Sequence, residues 1–294
     1  MSSYIQAPSA GGQSPGSDIS KQKWVEAIQD LLDVGATDQA KRIDKEHNVG
    51  FFSKTTKALR YLDKFITCNL QMLKLKEQVL RLADPTITDP VLILGETGTG
   101  KELLAHALHA DKIGNFVEIN CAGLPEHLIE SELFGYVDGA YTGAKKGGQA
   151  GLIELAGQDS KGNQARGSLF LDEIGELPLQ VQAKLLRVLN DGRVRKVGGS
   201  TYEWVDFRLI CATHQSIDAP DYKHFRRDLY HRISLIELRT LPLIQRKEDI
   251  KPIIESLQIG AHDKLFDRYI KDNTLGGNVR DLQKLVRRLQ LELL

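Results

Sequence analysis

The sequence predicts an α/β fold: a parallel sheet covered by helices, with a helical segment in front of it and a small helical lid behind. Three observations carry this reading. Short apolar, β-rich runs alternate with helical patterns from about residue 85 to about residue 240. A glycine-rich stretch stands between the first of those runs and a helix, and the chain from Arg246 onward shows helical spacing alone.

Taken in order, residues 1–20 are rich in Ser, Gly, Gln and Pro and offer almost no apolar surface to offset ordering, so a flexible tail is expected. Residues 21–66 form a helical regulatory or interaction segment, with Trp24, Ile28, Leu31 and Leu32 on one face and Leu59, Leu62, Phe65 and Ile66 on another. The core is expected over 67–240. Its first helix carries Met72, Leu75, Val79 and Leu82 and ends at Asp84-Pro85, because the residue before a proline is pushed out of the helical region. Strands are expected at Val91–Leu94, Phe116–Asn120, Ser168–Leu171, Phe207–Ala212 and Ser234–Leu238, each short and dominated by Val, Ile, Leu or Phe, as strands buried on both faces are. Helices are expected near Lys101–Ala110, Pro125–Phe134 and Leu179–Leu189. Two glycine-rich stretches, Gly139–Gly151 and Gly157–Gly167, read as loops. Residues 241–294 make the lid, with Leu282, Leu285, Val286 and Leu289 as its inner face.

Composition narrows the function classes. The chain has 294 residues, enough for about two domains with an ordinary core and no need of disulfides or structural metal. Its 39 Lys+Arg balance 39 Asp+Glu, which removes any bulk electrostatic reason to coat nucleic acid. The longest apolar runs, such as Pro90–Leu94, fall far short of the ~20 residues of a membrane span, and Met1–Pro15 lacks the pattern of a secretory leader. A cytoplasmic protein without membrane contact is expected. Cys68, Cys121 and Cys211 are odd in number and widely spaced, as reduced buried thiols are. His106 and His109 lie three apart on one predicted helix, but with no third ligand nearby in sequence they read as core or surface residues.

Two motifs carry chemistry. Gly95-Glu96-Thr97-Gly98-Thr99-Gly100-Lys101 follows a predicted strand and opens a predicted helix, the arrangement in which backbone N–H groups and a lysine cradle phosphates. The next residue is Glu102 rather than the Ser or Thr that usually touches magnesium, so the metal must rely on other groups. Leu169–Glu173 supplies them: an apolar strand ends in Asp172, suited to hold magnesium through water, and Glu173, suited to activate an attacking water. Together they predict nucleotide hydrolysis with Mg2+.

At four places the chain resembles the AAA+ domain of sigma-54-dependent transcriptional activators, the bacterial enhancer-binding proteins. These are Gly95–Glu102, Glu132–Ala144, Ser168–Pro178 and Phe225–Arg232, and the likeness runs from about residue 70 to the end. The resemblance makes Glu102 an expected residue and implies an AAA+ P-loop NTPase. It implies that Gly139, Ala140, Tyr141, Thr142, Gly143 and Ala144 form the loop that contacts sigma-54, with Tyr141 where Phe is usual. It further implies that Asn120 restrains Glu173, that Arg226 and Arg232 are arginine fingers reaching a neighbouring subunit's site, and that Arg280 in Gly277–Leu282 senses the nucleotide. Fingers supplied across a boundary imply a closed ring, usually a hexamer, with sigma-54 and RNA polymerase as partners.

Several positions depart from the family pattern. His214 stands where Asn is usual in the first sensor, shifting the expected phosphate contact to Thr213. The Gly157–Gly167 loop looks long, Leu257–Thr274 looks short, and Leu275-Gly276 replaces a Trp-Pro pair. The family's usual helix-turn-helix is not recognisable before Leu294, so contact with DNA is expected to be indirect or weak, no more than the basic side Lys54, Lys57, Arg60 and Lys64 provides. Two other readings compete: a remodelling ATPase acting on a different target, and a nucleotide-binding regulatory module with little turnover.

Overall fold

Side-chain alternation along five short strands explains the sheet. In the computed structural model, which describes residues 42–43, 51–110, 113–141, 145–219, 222–257 and 276–290, these strands are β1 (Val91–Leu94), β2 (Phe116–Asn120), β3 (Ser168–Asp172), β6 (Arg208–Thr213) and β7 (Ile236–Arg239). They pair in parallel in the order β2-β3-β6-β1-β7. On β1, Leu92 and Leu94 enter one core and Val91 and Ile93 the other, and β3 and β6 split in the same way. Both faces are therefore dry, which is why the strands read as unbroken apolar runs. Compared with expectation, β6 is displaced by one residue and β7 begins at Ile236, because Ser234 closes the preceding helix.

The chain divides into Met1–Lys54 and Thr55–Leu294, and the sheet with its covering helices belongs to the second unit. Helix α1 (Phe51–Leu62) leads into it, and α2 (Leu70–Leu82) starts where Asn69 accepts hydrogen bonds from the N–H groups of Gln71 and Met72. Helix α3 (Lys101–His109) packs with α2 on one face of the sheet, where Leu62 and Phe65, read from sequence as part of the leading segment, are buried as well. The other face is covered by α4 (Glu126–Phe134), α5 (Leu152–Ala156), α6 (Leu179–Asp191) and α7 (Arg227–Ile233). Helix α5 escapes sequence reading because five residues are too few to show a period. The same holds for β4 (Arg193–Val194) and β5 (Glu203–Trp204), which form an antiparallel ribbon. The Gly157–Gly167 stretch is a tight hairpin organised by the Asp159 carboxylate, which accepts from the backbone of Lys161 and Asn163.

In the lid, α8 (Ile250–Ser256) and α9 (Asn278–Gln290) bury Ile250, Ile253, Ile254, Leu282 and Val286 together with Leu243. The expected helical spacing across 258–275 lies outside the described residues, as do residues 1–41. A buried ion pair anchors the start of this lid. Arg246 and Asp249 are 1% and 0% exposed and 3.3 Å apart. Arg246 also donates to the Thr99 carbonyl, while Asp249 accepts from Thr67 and from the backbone of Cys68 and Asn69. Cys121 and Cys211 are buried as expected, but Cys68 is exposed, since it lies on the connection between α1 and α2. No described helix is long and apolar enough to cross a membrane.

Candidate active site

Because the strands are parallel, the residues that end them gather at one edge: Leu94 pairs with Thr213, and Asn120 with Asp172. A cavity of about 550 Å³ opens there, at the carboxyl ends of the strands where such sheets bind ligands. Thr97, Gly98, Thr99, Gly100, Lys101 and Glu102 line it, together with Asn120, Asp172, Glu173, His214 and Arg280.

The turn from β1 into α3 needs glycine for a packing reason. Gly98 has φ +78°, and a Cβ there would lie 2.2 Å from the Gly277 carbonyl oxygen; at Gly100, with φ +103°, it would lie 2.8 Å from the Phe65 ring. The lid grips the same turn. Val279 N–H donates to the Gly98 carbonyl, and the Asn278 amide donates to the Thr97 carbonyl and to the Glu96 carboxylate. Gly95 and Glu96 stand behind the lining. Nothing in the sequence singles out Asn278 beyond its place between Gly277 and Arg280.

Lys101 is buried, and its Nζ donates to the carbonyls of Gly95 and Glu96 at 2.8 and 3.1 Å. Burial lowers its proton affinity, while Glu173 and Asp172 oppose that shift. Asp172 is half-buried, and burial together with Glu173 lifts its carboxyl above the ordinary range. That gathering of negative charge suits a divalent cation. Burial beside the same carboxylates pushes the Cys121 thiol up to about 12, so it is inert.

Glu173 sits in the left-handed region at φ +54° and is 9% exposed. Its Oε2 accepts from the His214 ring at Nδ1 (2.7 Å) and from the His214 N–H (3.2 Å), and its Oε1 is 3.8 Å from Lys101 Nζ. The Asn120 amide, expected on Glu173, instead donates to Asp172 at 3.1 Å, because β2 and β3 run in register and set residues 120 and 172 side by side. Thr213, by contrast, does not face the cavity. It is fully buried with its hydroxyl accepting from Gln215 N–H, so the polar group presented there is His214.

Arg226 and Arg232 stand away from this cavity. Arg226 is exposed and forks onto Asp228, its backbone fixed by buried Gln182, and Arg232 donates to the Leu189 carbonyl. Arg280 lines the cavity from α9. His106 and His109 diverge. His106 lies 3.9 Å from Glu102, one turn earlier on its own helix, and is stacked on Tyr61 and 3.6 Å from Glu118, two neighbours that helix spacing alone could not reveal, whereas His109 meets Ser168. The glycine-rich loop beyond α4 has a firm base: Tyr136 exchanges hydrogen bonds with Gln149, and Val137 and Val197 join it to the segment before β5. Gly139 has φ +74° in open space, and Tyr141 rests edge-on against Tyr136 with 39% of its surface exposed. Thr142, Gly143 and Ala144 lie outside the described residues.

Comparison with known proteins places this geometry. The family described as "Sigma-54 interaction domain" matches residues 65–239. A signal-transduction and transcriptional-control protein of Clostridium beijerinckii is 42% identical over 238 residues, covering 76% of this chain and 36% of the relative. Transcriptional regulator VasH of Vibrio cholerae is 43% identical over 230 residues, covering 73% of this chain and 41% of the relative. The chain thus spans about two-fifths of these relatives' length. Among solved structures, NtrX from Brucella abortus in complex with ADP superposes with a TM-score of 0.65 at 28% identity, covering 89% of this chain and 55% of that one.

Proposed function

Since the chain belongs to the sigma-54 interaction domain family and has the AAA+ fold, we propose that it is an ATPase whose turnover drives the loop Gly139–Ala144 against sigma-54 in RNA polymerase holoenzyme. The observation that carries this is the convergence of Lys101, Asp172 and Glu173 on one cavity at the sheet's carboxyl edge. The backbone N–H groups of Gly98–Lys101 and the start of α3 offer partial positive charge to the phosphates, and Lys101 leaves the loop carbonyls to meet them. Glu173 accepts a proton from the attacking water as its oxygen bonds to the terminal phosphorus; the bond to the ADP oxygen breaks, giving ADP and phosphate. Asp172 would hold magnesium through water, which when bound neutralises charge on the phosphates.

Two further groups complete the reading. The Lys and Arg side chains in the cavity's described lining are Lys64, Lys101, Arg280 and the buried Arg246. Arg226 and Arg232 are absent from that set, so they are assigned to a neighbouring subunit's site. Such head-to-tail sharing fits a closed ring. The route from site to loop is short: Asn120 touches Asp172, α4 follows Asn120 closely, and the loop base begins at Gly135 where α4 ends.

The test is a pull-down of sigma-54 in the presence of a transition-state analogue of ATP. Wild-type chain is expected to hold sigma-54 only with the analogue, and Thr142→Ala to lose it while still hydrolysing ATP. Hydrolysis without sigma-54 retention under any nucleotide would reassign the target.

A further inference from the structure

One oxygen of Glu173 carries two hydrogen bonds, and both come from His214. A carboxylate oxygen engaged by two donors has little room left to accept a third bond from an attacking water. The remaining oxygen faces Lys101 at 3.8 Å. As it stands, then, the Oε2 edge of Glu173 is held by His214 and the orientation of the carboxylate is set by protein donors. The P-loop lysine is in a matching state, with its ammonium on the loop's own carbonyls.

The two bonds from His214 differ in how easily they break. The peptide N–H is fixed by the end of β6. The ring is 46% exposed at the cavity wall, whereas the Glu173 side chain is 11% exposed, so the ring can swing into the cavity without disturbing the core. Asn120 is engaged elsewhere: its side-chain amide donates to Asp172 and its side-chain carbonyl accepts from Ala122 N–H.

We propose that His214 is a positioning residue that parks Glu173: its ring holds the carboxylate off the attacking water, and each turnover requires the ring to leave. This rests on the reading of Glu173 as the base. Geometry also supplies the conservative variant. Nδ1 of histidine and Nδ2 of asparagine are the same number of bonds from Cα, so Asn can donate from the same place and Ala cannot.

The experiment compares steady-state ATP hydrolysis by wild type, H214A, H214N, E173Q and the H214A/E173Q double variant, with KM and the binding of a fluorescent ATP analogue measured on each. H214A is expected to raise kcat about three- to tenfold, the factor one net hydrogen bond is worth, while KM and analogue affinity report separately on the place of His214 in the cavity lining. H214N is expected to lie closer to wild type, and the double variant to be as inactive as E173Q. H214V serves as a second variant without a side-chain donor should H214A lower the thermal midpoint. If E173Q is inactive but H214A and H214V turn over no faster than wild type, the parking role is overturned and the base assignment stands. If E173Q hydrolyses ATP like wild type, the base assignment fails and the parking role with it.

Discussion

Two glycine-rich loops among the described residues, the turn Gly95–Lys101 and the loop beyond α4, use glycine for different reasons. In the turn Gly95–Lys101, a side chain at Gly98 or Gly100 would strike the Gly277 carbonyl or the Phe65 ring. There glycine is demanded by what presses on it: the lid from one side, the α1–α2 connection from the other. In the loop beyond α4, Gly139 and Gly147 also have positive φ, yet a Cβ at either meets nothing within 4 Å. Glycine there permits a backbone path and leaves the surface clear. One loop is a braced cradle; the other is pinned at its base, with Gly139 and Gly147 clear of contacts.

Three substitutions sharpen this contrast when stability is read from urea midpoints. Asp249→Ala should be the most damaging, because it leaves Arg246 buried and unpaired beneath the Thr99 carbonyl; about 3–5 kcal/mol is expected. Gly98→Ala combines a left-handed backbone with a clash against the lid and should cost about 3 kcal/mol, together with weaker nucleotide binding. Gly147→Ala has only the backbone strain, about 1 kcal/mol. Equal losses for Gly98→Ala and Gly147→Ala would mean that the cradle is not braced in the way the contacts indicate.

Sequence makes the repetitive parts of this molecule legible. Strands buried on both faces show as apolar runs, and the phosphate turn shows because glycine spacing and a following lysine have a direct geometric meaning. The pairing of Asp172 with Glu173 at a strand end is visible for the same reason. What stays hidden depends on register and on long-range contacts. The family resemblance puts Asn120 on Glu173, but the β2–β3 register gives it Asp172. His214 looks in sequence like a weakened sensor, and only the fold brings its ring within 2.7 Å of Glu173. Arg246 and Asp249 read as ordinary polar residues at a helix start, since nothing local signals that residues 67–69 and 99 close over them. Helix α5 and the β4–β5 ribbon are too short to carry a period.

The proposed catalysis depends on a site completed by a neighbour, because Arg226 and Arg232 stand away from their own cavity. Specific ATPase activity measured against protein concentration at saturating ATP and magnesium addresses this directly, with mass followed by light scattering in the same samples. Activity per chain is expected to rise steeply as oligomers form and to fall to near background where the chain is monomeric. Constant activity per chain down to the monomer would contradict it.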